Sequence, residues 1–163
     1  MISSDTEIRI LPWYAIEWER FDGPYAVISI MVTSDQIVHM PKGDGCVGVL
    51  RLNFPDLDKP LLGWKEEELF SAKQAGEIWD FVDALPEIET LLIHCEAGVS
   101  RSPAVGAAIA RTLGQEFPFN RYVPNPRVYR IMLETWNDRH SAKEPTALPP
   151  KPPSDIKIWR DLF

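Results

Sequence analysis

The stretch Leu91-Leu92-Ile93-His94-Cys95-Glu96-Ala97-Gly98-Val99-Ser100-Arg101-Ser102-Pro103 decides how the rest of the chain is read. Its first part is a short apolar run, the pattern of a strand buried on both faces. Its last part is a serine followed by a proline, which predicts a helix capped by Ser102 with Pro103 at the first helical position. Between the two lies a loop in which Gly98 permits a backbone conformation closed to other residues. Cys95 stands at the strand end and Arg101 at the helix opening. A helix N-terminus and a guanidinium both favour the thiolate, the form in which a cysteine attacks. The N–H groups of Glu96, Ala97, Gly98, Val99 and Ser100, joined by the free N–H groups of the helix, make a cradle for a tetrahedral oxyanion. The planar fork of Arg101 holds two oxygens of such an anion at once. Ser102 can also hydrogen-bond the Cys95 sulfur and stabilise it as a leaving group, and His94 can orient the loop through its ring nitrogens.

Working outward, residues 25–32 form another continuous apolar run, and residues 46–52 a third, each read as a strand buried on both faces. The third stops at Asn53-Phe54-Pro55-Asp56, where Pro55 denies a sheet its donor and a turn follows. Ile8, Ile10 and Leu11 suggest a first short strand. After it, Pro12 opens a predicted helix carrying Tyr14, Ala15, Trp18 and Phe21 at helical spacing. Ser71 and Gln74 have the spacing of a capping box, and Ala72, Ala75, Ile78, Trp79, Val82 and Leu85 share one face, so residues 71–85 read as an amphipathic helix. Glu66, Glu67 and Glu68 read as charges complementing that helix's dipole. A nearly all-apolar helix ends at Gly114, and Asn125-Pro126 caps a last helix with Val128, Ile131, Met132 and Trp136 inside.

Strands alternating with helices predict an α/β fold: a mostly parallel central sheet flanked by helices on both faces, with the oxyanion loop between a strand and a helix N-terminus. Ligands of such sheets gather at the carboxyl ends of the strands, where Cys95 and the carboxylates of Asp56 and Asp58 converge. Residues 1–142 form one expected domain. Residues 143–163 form a Pro-rich tail, whose Ile156, Ile158, Trp159, Leu162 and Phe163 are expected to dock it back on the domain.

The composition narrows the function. With 163 residues, 17 Lys and Arg, 24 Asp and Glu, and a net charge of −7, the chain is not expected to bind nucleic acid or an anionic membrane. Cys46 and Cys95 are the only cysteines and three histidines are scattered, so neither a disulfide framework nor a metal site is expected, and no cofactor is called for. Acidic residues stand where a signal peptide is basic, and no apolar run reaches the length of a membrane span, which points to a reducing, cytoplasmic setting. Cys46 opens an apolar strand without charged neighbours and reads as a core thiol.

The residues His94-Cys95-x5-Arg101-Ser102 resemble the signature loop of the cysteine-dependent protein tyrosine phosphatases. The run from Ala97 to Ser102 is similar to the wording of the compact dual-specificity branch, and Pro124-Asn125-Pro126 resembles its downstream Asn-Pro segment. The likeness spans residues 25–136. It implies hydrolysis of phosphotyrosine, and of phosphoserine or phosphothreonine as well, in a phosphorylated protein or peptide. Cys95 would form a phosphocysteine, Arg101 would clamp the phosphoryl oxygens and an aspartic acid would protonate the leaving oxygen. Phe54-Pro55-Asp56 is similar to the Trp-Pro-Asp segment of the tyrosine-specific branch and favours Asp56 as that acid, with Asp58 as the alternative. Relatives acting on inositol lipids often carry lysine in the loop, and this chain has none between Cys95 and Arg101. Two other readings stay open: a phosphate-binding pseudophosphatase without a competent acid, and an arsenate reductase-like thiol enzyme using the same cradle with Cys46 as a second thiol.

Overall fold

The computed structural model describes residues 2–141. The Pro-rich tail predicted for 143–163, and its docking, lie outside the described residues. Four strands, β1 (Glu7–Pro12), β2 (Tyr25–Met31), β3 (Cys46–Asn53) and β4 (Thr90–Cys95), form one sheet in the order β1-β4-β2-β3, with every neighbouring pair parallel. The α/β class and parallel sheet are as the interleaved pattern predicts. β2 and β4 occupy the middle and are buried at every position, as continuous apolar runs should be.

β3 departs from its expectation. It is an edge strand whose positions alternate, with Val47 and Val49 exposed and Leu52 buried. An apolar run alone does not say whether a strand has one neighbour or two. The predicted helix after Pro12 is also absent. Pro12 is the last residue of the other edge strand, paired opposite Cys95, and a single 3-10 turn at Ile16–Trp18 follows. An edge strand tolerates a proline because one side of its backbone needs no partner. Ile16 and Phe21 anchor this segment, Phe21 stacked on Tyr25, while Tyr14 and Trp18 project into solvent.

Three helices, α1 (Ala72–Ala84), α2 (Arg101–Thr112) and α3 (Pro126–His140), pack on one face of the sheet. Ala26, Ile28, Ile30, Leu91 and Ile93 point into that layer. Their neighbours in sequence, Val27 and Leu92, point to the other face, where Ile16 and Val38 cover them. Both faces are thus covered, three α-helices on one and a 3-10 turn with the 33–45 loop on the other. α1 begins as predicted, with Ser71 and Gln74 each bonding the other's backbone N–H. The indole of Trp79 donates to the Met132 carbonyl at 3.0 Å and ties α1 to α3. α2 lies close to the sheet at Gly106, where a Cβ would come within 2.8 Å of Ile10. Among the described residues no helix is long and apolar enough to cross a membrane.

Candidate active site

The parallel sheet sends all four strand ends to one edge, and the 95–101 loop is built against them. Gly98 takes φ +67° and sits so near β1 that a Cβ there would be 2.7 Å from the Leu11 carbonyl carbon and from the Pro12 nitrogen. Only glycine meets both demands. Beyond β1, the Trp13 N–H donates to the Glu96 carbonyl at 3.4 Å. Beyond β2, the Val32 N–H donates to the Glu96 carboxylate at 3.3 Å. At the end of β3, the Phe54 carbonyl accepts from Arg101 Nη1 at 3.0 Å.

Cys95 is 2% exposed, and its sulfur lies 3.1 Å from the hydroxyl oxygen of Ser102. That contact is the one the sequence suggested, but the cap is not. Helix α2 starts at Arg101 with Ser100 in the cap position, and the Ser100 hydroxyl makes no capping bond. It donates instead to Asp56 Oδ1 at 2.8 Å. Ser102, already inside the first turn, is free to face the sulfur.

Arg101 is 4% exposed, and burial is the main influence on its guanidinium, pulling its pKa below the ordinary value while Cys95 and Asp56 pull the other way. Nη1 is taken by Phe54 and Nη2 is paired with the Glu96 carboxylate. Nε is buried and has no partner among the described residues. A buried donor left without a partner costs about 1–3 kcal/mol, so the fold holds this arginine in place at some expense. The Glu96 side chain was not anticipated in this position; the sequence assigned that residue only its backbone N–H.

His94 is fully buried near the end of β4, one residue before the loop. Burial, aided by the charges of Arg51 and Arg101 and opposed by a hydrogen bond with the Cys95 backbone, holds its pKa down at about 4. The ring is neutral at physiological pH and fills space beneath the loop.

Asp56 lies on the segment after β3 with its carboxylate turned to the loop. Asn125 Nδ2 donates to the same Oδ1 as Ser100, also at 2.8 Å. Asn125 meanwhile caps α3 as predicted, accepting from the Val128 N–H at 3.1 Å. Asn125 and Val123 further bind the loop by backbone, their N–H groups donating to the carbonyls of Ser100 and Val99 at 3.0 Å each. Asp58, the alternative acid, contributes a backbone carbonyl that accepts from Arg127 at 3.4 Å. Glu66, Glu67 and Glu68 form their own 3-10 turn instead of the first turn of α1, and Glu66 pairs with Arg127 at 2.6 Å. That pairing lowers the Glu66 pKa.

Cys46 lies away from all of this. It is a free, half-buried thiol at the amino end of β3, in register with Tyr25 and so with Thr90, the first residue of β4. Five residues along β4 and two strand spacings across put it about 19 Å from Cys95, far beyond disulfide reach.

No family model and no curated protein matches the sequence. Among solved structures the chain is similar to the human tyrosine phosphatase-like serine/threonine/tyrosine-interacting protein, with a TM-score of 0.53 at 16% identity, covering 81% of this chain and 92% of that one. It also aligns with human DUSP28 at a TM-score of 0.49 and 15% identity, covering 88% of this chain and 100% of that one. The first likeness shows the fold alone: the chain shares the parallel α/β architecture of that phosphatase-like protein.

Proposed function

We propose, taking that fold as the premise, that the chain is a phosphoprotein phosphatase acting through a phosphocysteine, with phosphotyrosine as its substrate and phosphoserine and phosphothreonine within its range. The observation that carries the reading is the convergence, at one edge of the sheet, of the Cys95 sulfur against the Ser102 hydroxyl, the buried Arg101 guanidinium and the Asp56 carboxylate bound to Ser100 across the loop. The lack of lysine between Cys95 and Arg101 favours a single phosphate over a polyphosphorylated lipid.

In the first step the Cys95 sulfur attacks phosphorus and forms the P–S bond as the P–O bond to the substrate breaks. The leaving oxygen takes a proton from Asp56, which is worth about 10²–10⁴ in rate when that oxygen is basic. Arg101 and the N–H groups of residues 96–101 hold the three phosphoryl oxygens as charge builds on them. In the second step water attacks phosphorus, Asp56 takes its proton, and the P–S bond breaks. The sulfur leaves as thiolate with the Ser102 hydroxyl donating to it, and phosphate departs.

Two other readings are weaker. One is a non-catalytic phosphate binder, a reading prompted by the likeness to a phosphatase-like, interacting protein. Such a protein has no need of a carboxylate aimed at the loop, yet Asp56 is held there by two side chains. A thiol reductase using Cys46 as the second sulfur is opposed by its position at the far end of the sheet. The test is turnover of p-nitrophenyl phosphate, expected to be blocked by vanadate and lost in Cys95→Ser. Phosphate binding by the native protein without any turnover would overturn the reading in favour of the non-catalytic one.

A further inference from the structure

Every hydrogen bond and ion pair found for the Arg127 side chain goes to one segment, residues 54–70. Its Nε donates to the Phe70 carbonyl at 2.8 Å, Nη1 to the Asp58 carbonyl at 3.4 Å and Nη2 to the Glu66 carboxylate at 2.6 Å. The segment needs such a tie. Phe54 and Pro55 are buried just before Asp56, and Leu69 and Phe70 at the far end, but no residue from 56 to 68 is buried, so from Asp56 onward the segment has no fully buried apolar anchor. Surface segments of this kind open locally at little cost unless polar contacts restrain them.

The restraint comes from a rigid source. Arg127 stands two residues after Asn125, on the first turn of α3, and Asn125 is bound to both the Ser100 carbonyl and the Asp56 carboxylate. One helical turn therefore sets the distance between the cradle and the acid segment, with Asn125 gripping the acid and Arg127 gripping the backbone beyond it at Asp58 and Phe70. Arginine suits this because its fork reaches three acceptors in a plane, which a lysine cannot do. Glu66 is largely exposed, so its share of the pairing is screened and the two carbonyl bonds matter more.

We propose that Arg127 is a positioning residue that holds residues 54–70 so that Asp56 faces the cradle. The proposal rests on the phosphatase reading for its catalytic consequence. It acts on proton donation, so its effect depends on how basic the leaving oxygen is. Arg127→Lys and Arg127→Gln should lower kcat/KM for phenyl phosphate by about ten-fold or more while changing that for p-nitrophenyl phosphate less than about three-fold. In an Asp56→Asn background the same substitutions should add less than about two-fold, because the group they position is gone. Glu66→Gln should stay within about two-fold of the native protein on both esters. Equal losses on the two esters, or full additivity with Asp56→Asn, would overturn the proposal.

Amide hydrogen exchange separates this from the phosphatase reading itself. Exchange at residues 56–68 should quicken in both Arg127 variants, with β4 and α1 unchanged as the control for folding, whether or not any ester is hydrolysed. Unchanged exchange at 56–68 would overturn the proposal. A native protein that turned over neither ester would instead count against the phosphatase reading, with hydrogen exchange still deciding the role of Arg127.

Discussion

Residues 95–101 and residues 54–70 face each other across one edge of the sheet, yet the first is fixed mainly through backbone bonds and close backbone packing and the middle of the second mainly by side chains from elsewhere. The cradle runs from a fully buried strand into a helix, and Gly98 packs it onto β1 without room for a methyl group. The acid segment has exposed residues through its middle and is tied down by Ser100, Asn125 and Arg127. A phosphate cradle must exist before the substrate arrives, since its donors gain most when they need no reorganisation. An acid has to give and retake a proton on either side of a leaving group, which suits a segment restrained by a few polar bonds.

If this contrast is right, disturbing the cradle should cost orders of magnitude on every substrate, while disturbing the acid segment should cost selectively. The largest effect is expected from Cys95→Ser, which should abolish steady-state turnover by at least about four orders of magnitude while a phosphopeptide still binds, as read by calorimetry. Next comes Arg101→Lys, expected to lower kcat/KM by about two to three orders of magnitude on good and poor leaving groups alike. Asp56→Asn should lower kcat/KM for phenyl phosphate by about 100-fold with a much smaller loss for p-nitrophenyl phosphate, and Asp58→Asn should change either less than about three-fold. A reversed order for the two aspartates would move the acid to Asp58.

Two smaller effects concern stability, and both belong to the cradle side. Gly98→Ala places a methyl group against the backbone of β1 at positive φ and should cost about 1–3 kcal/mol, seen as a lower Tm. His94 is held near pKa 4 against an ordinary 6.5, so between those values the unfolded chain binds a proton that the folded chain refuses. Its contribution to stability is complete above pH 6.5 and is lost as the pH falls toward 4, by an amount on the order of 3 kcal/mol. His94→Gln should flatten that part of the pH–Tm curve, and an unchanged curve would mean that the ring is not the group responsible.

The same contrast explains what could be read in the chain. The cradle was legible because its strand, thiol, glycine, arginine and helix opening fall within thirteen consecutive residues, and each has a local physical meaning. The parallel sheet and the capping box at Ser71 were legible for the same reason. Asp56 was favoured by its Phe-Pro neighbours, but the bonds that turn it to the cradle come from 44 and 69 residues away. Arg127 gave no signal at all, because a lone arginine in the first turn of a helix looks like a surface charge until its acceptors at residues 58, 66 and 70 fold against it. The turn after Pro12 misled because apolar residues at helical spacing also fit an irregular chain that anchors by Ile16 and Phe21 and leaves Tyr14 and Trp18 in solvent. The edge position of β3 depends on what pairs beside it, which no run of apolar residues contains.

The phosphocysteine is the point on which the whole mechanism turns, and it can be trapped. Asp56→Asn, which slows both proton transfers, is mixed with p-nitrophenyl phosphate, acid-quenched within milliseconds, digested and weighed by mass spectrometry. The expected result is a phosphoryl group on the peptide that contains Cys95, acid-stable and absent from the same experiment with Cys95→Ser. Turnover by the native protein with no phosphoryl group on that peptide, or with the group on another residue, would contradict it.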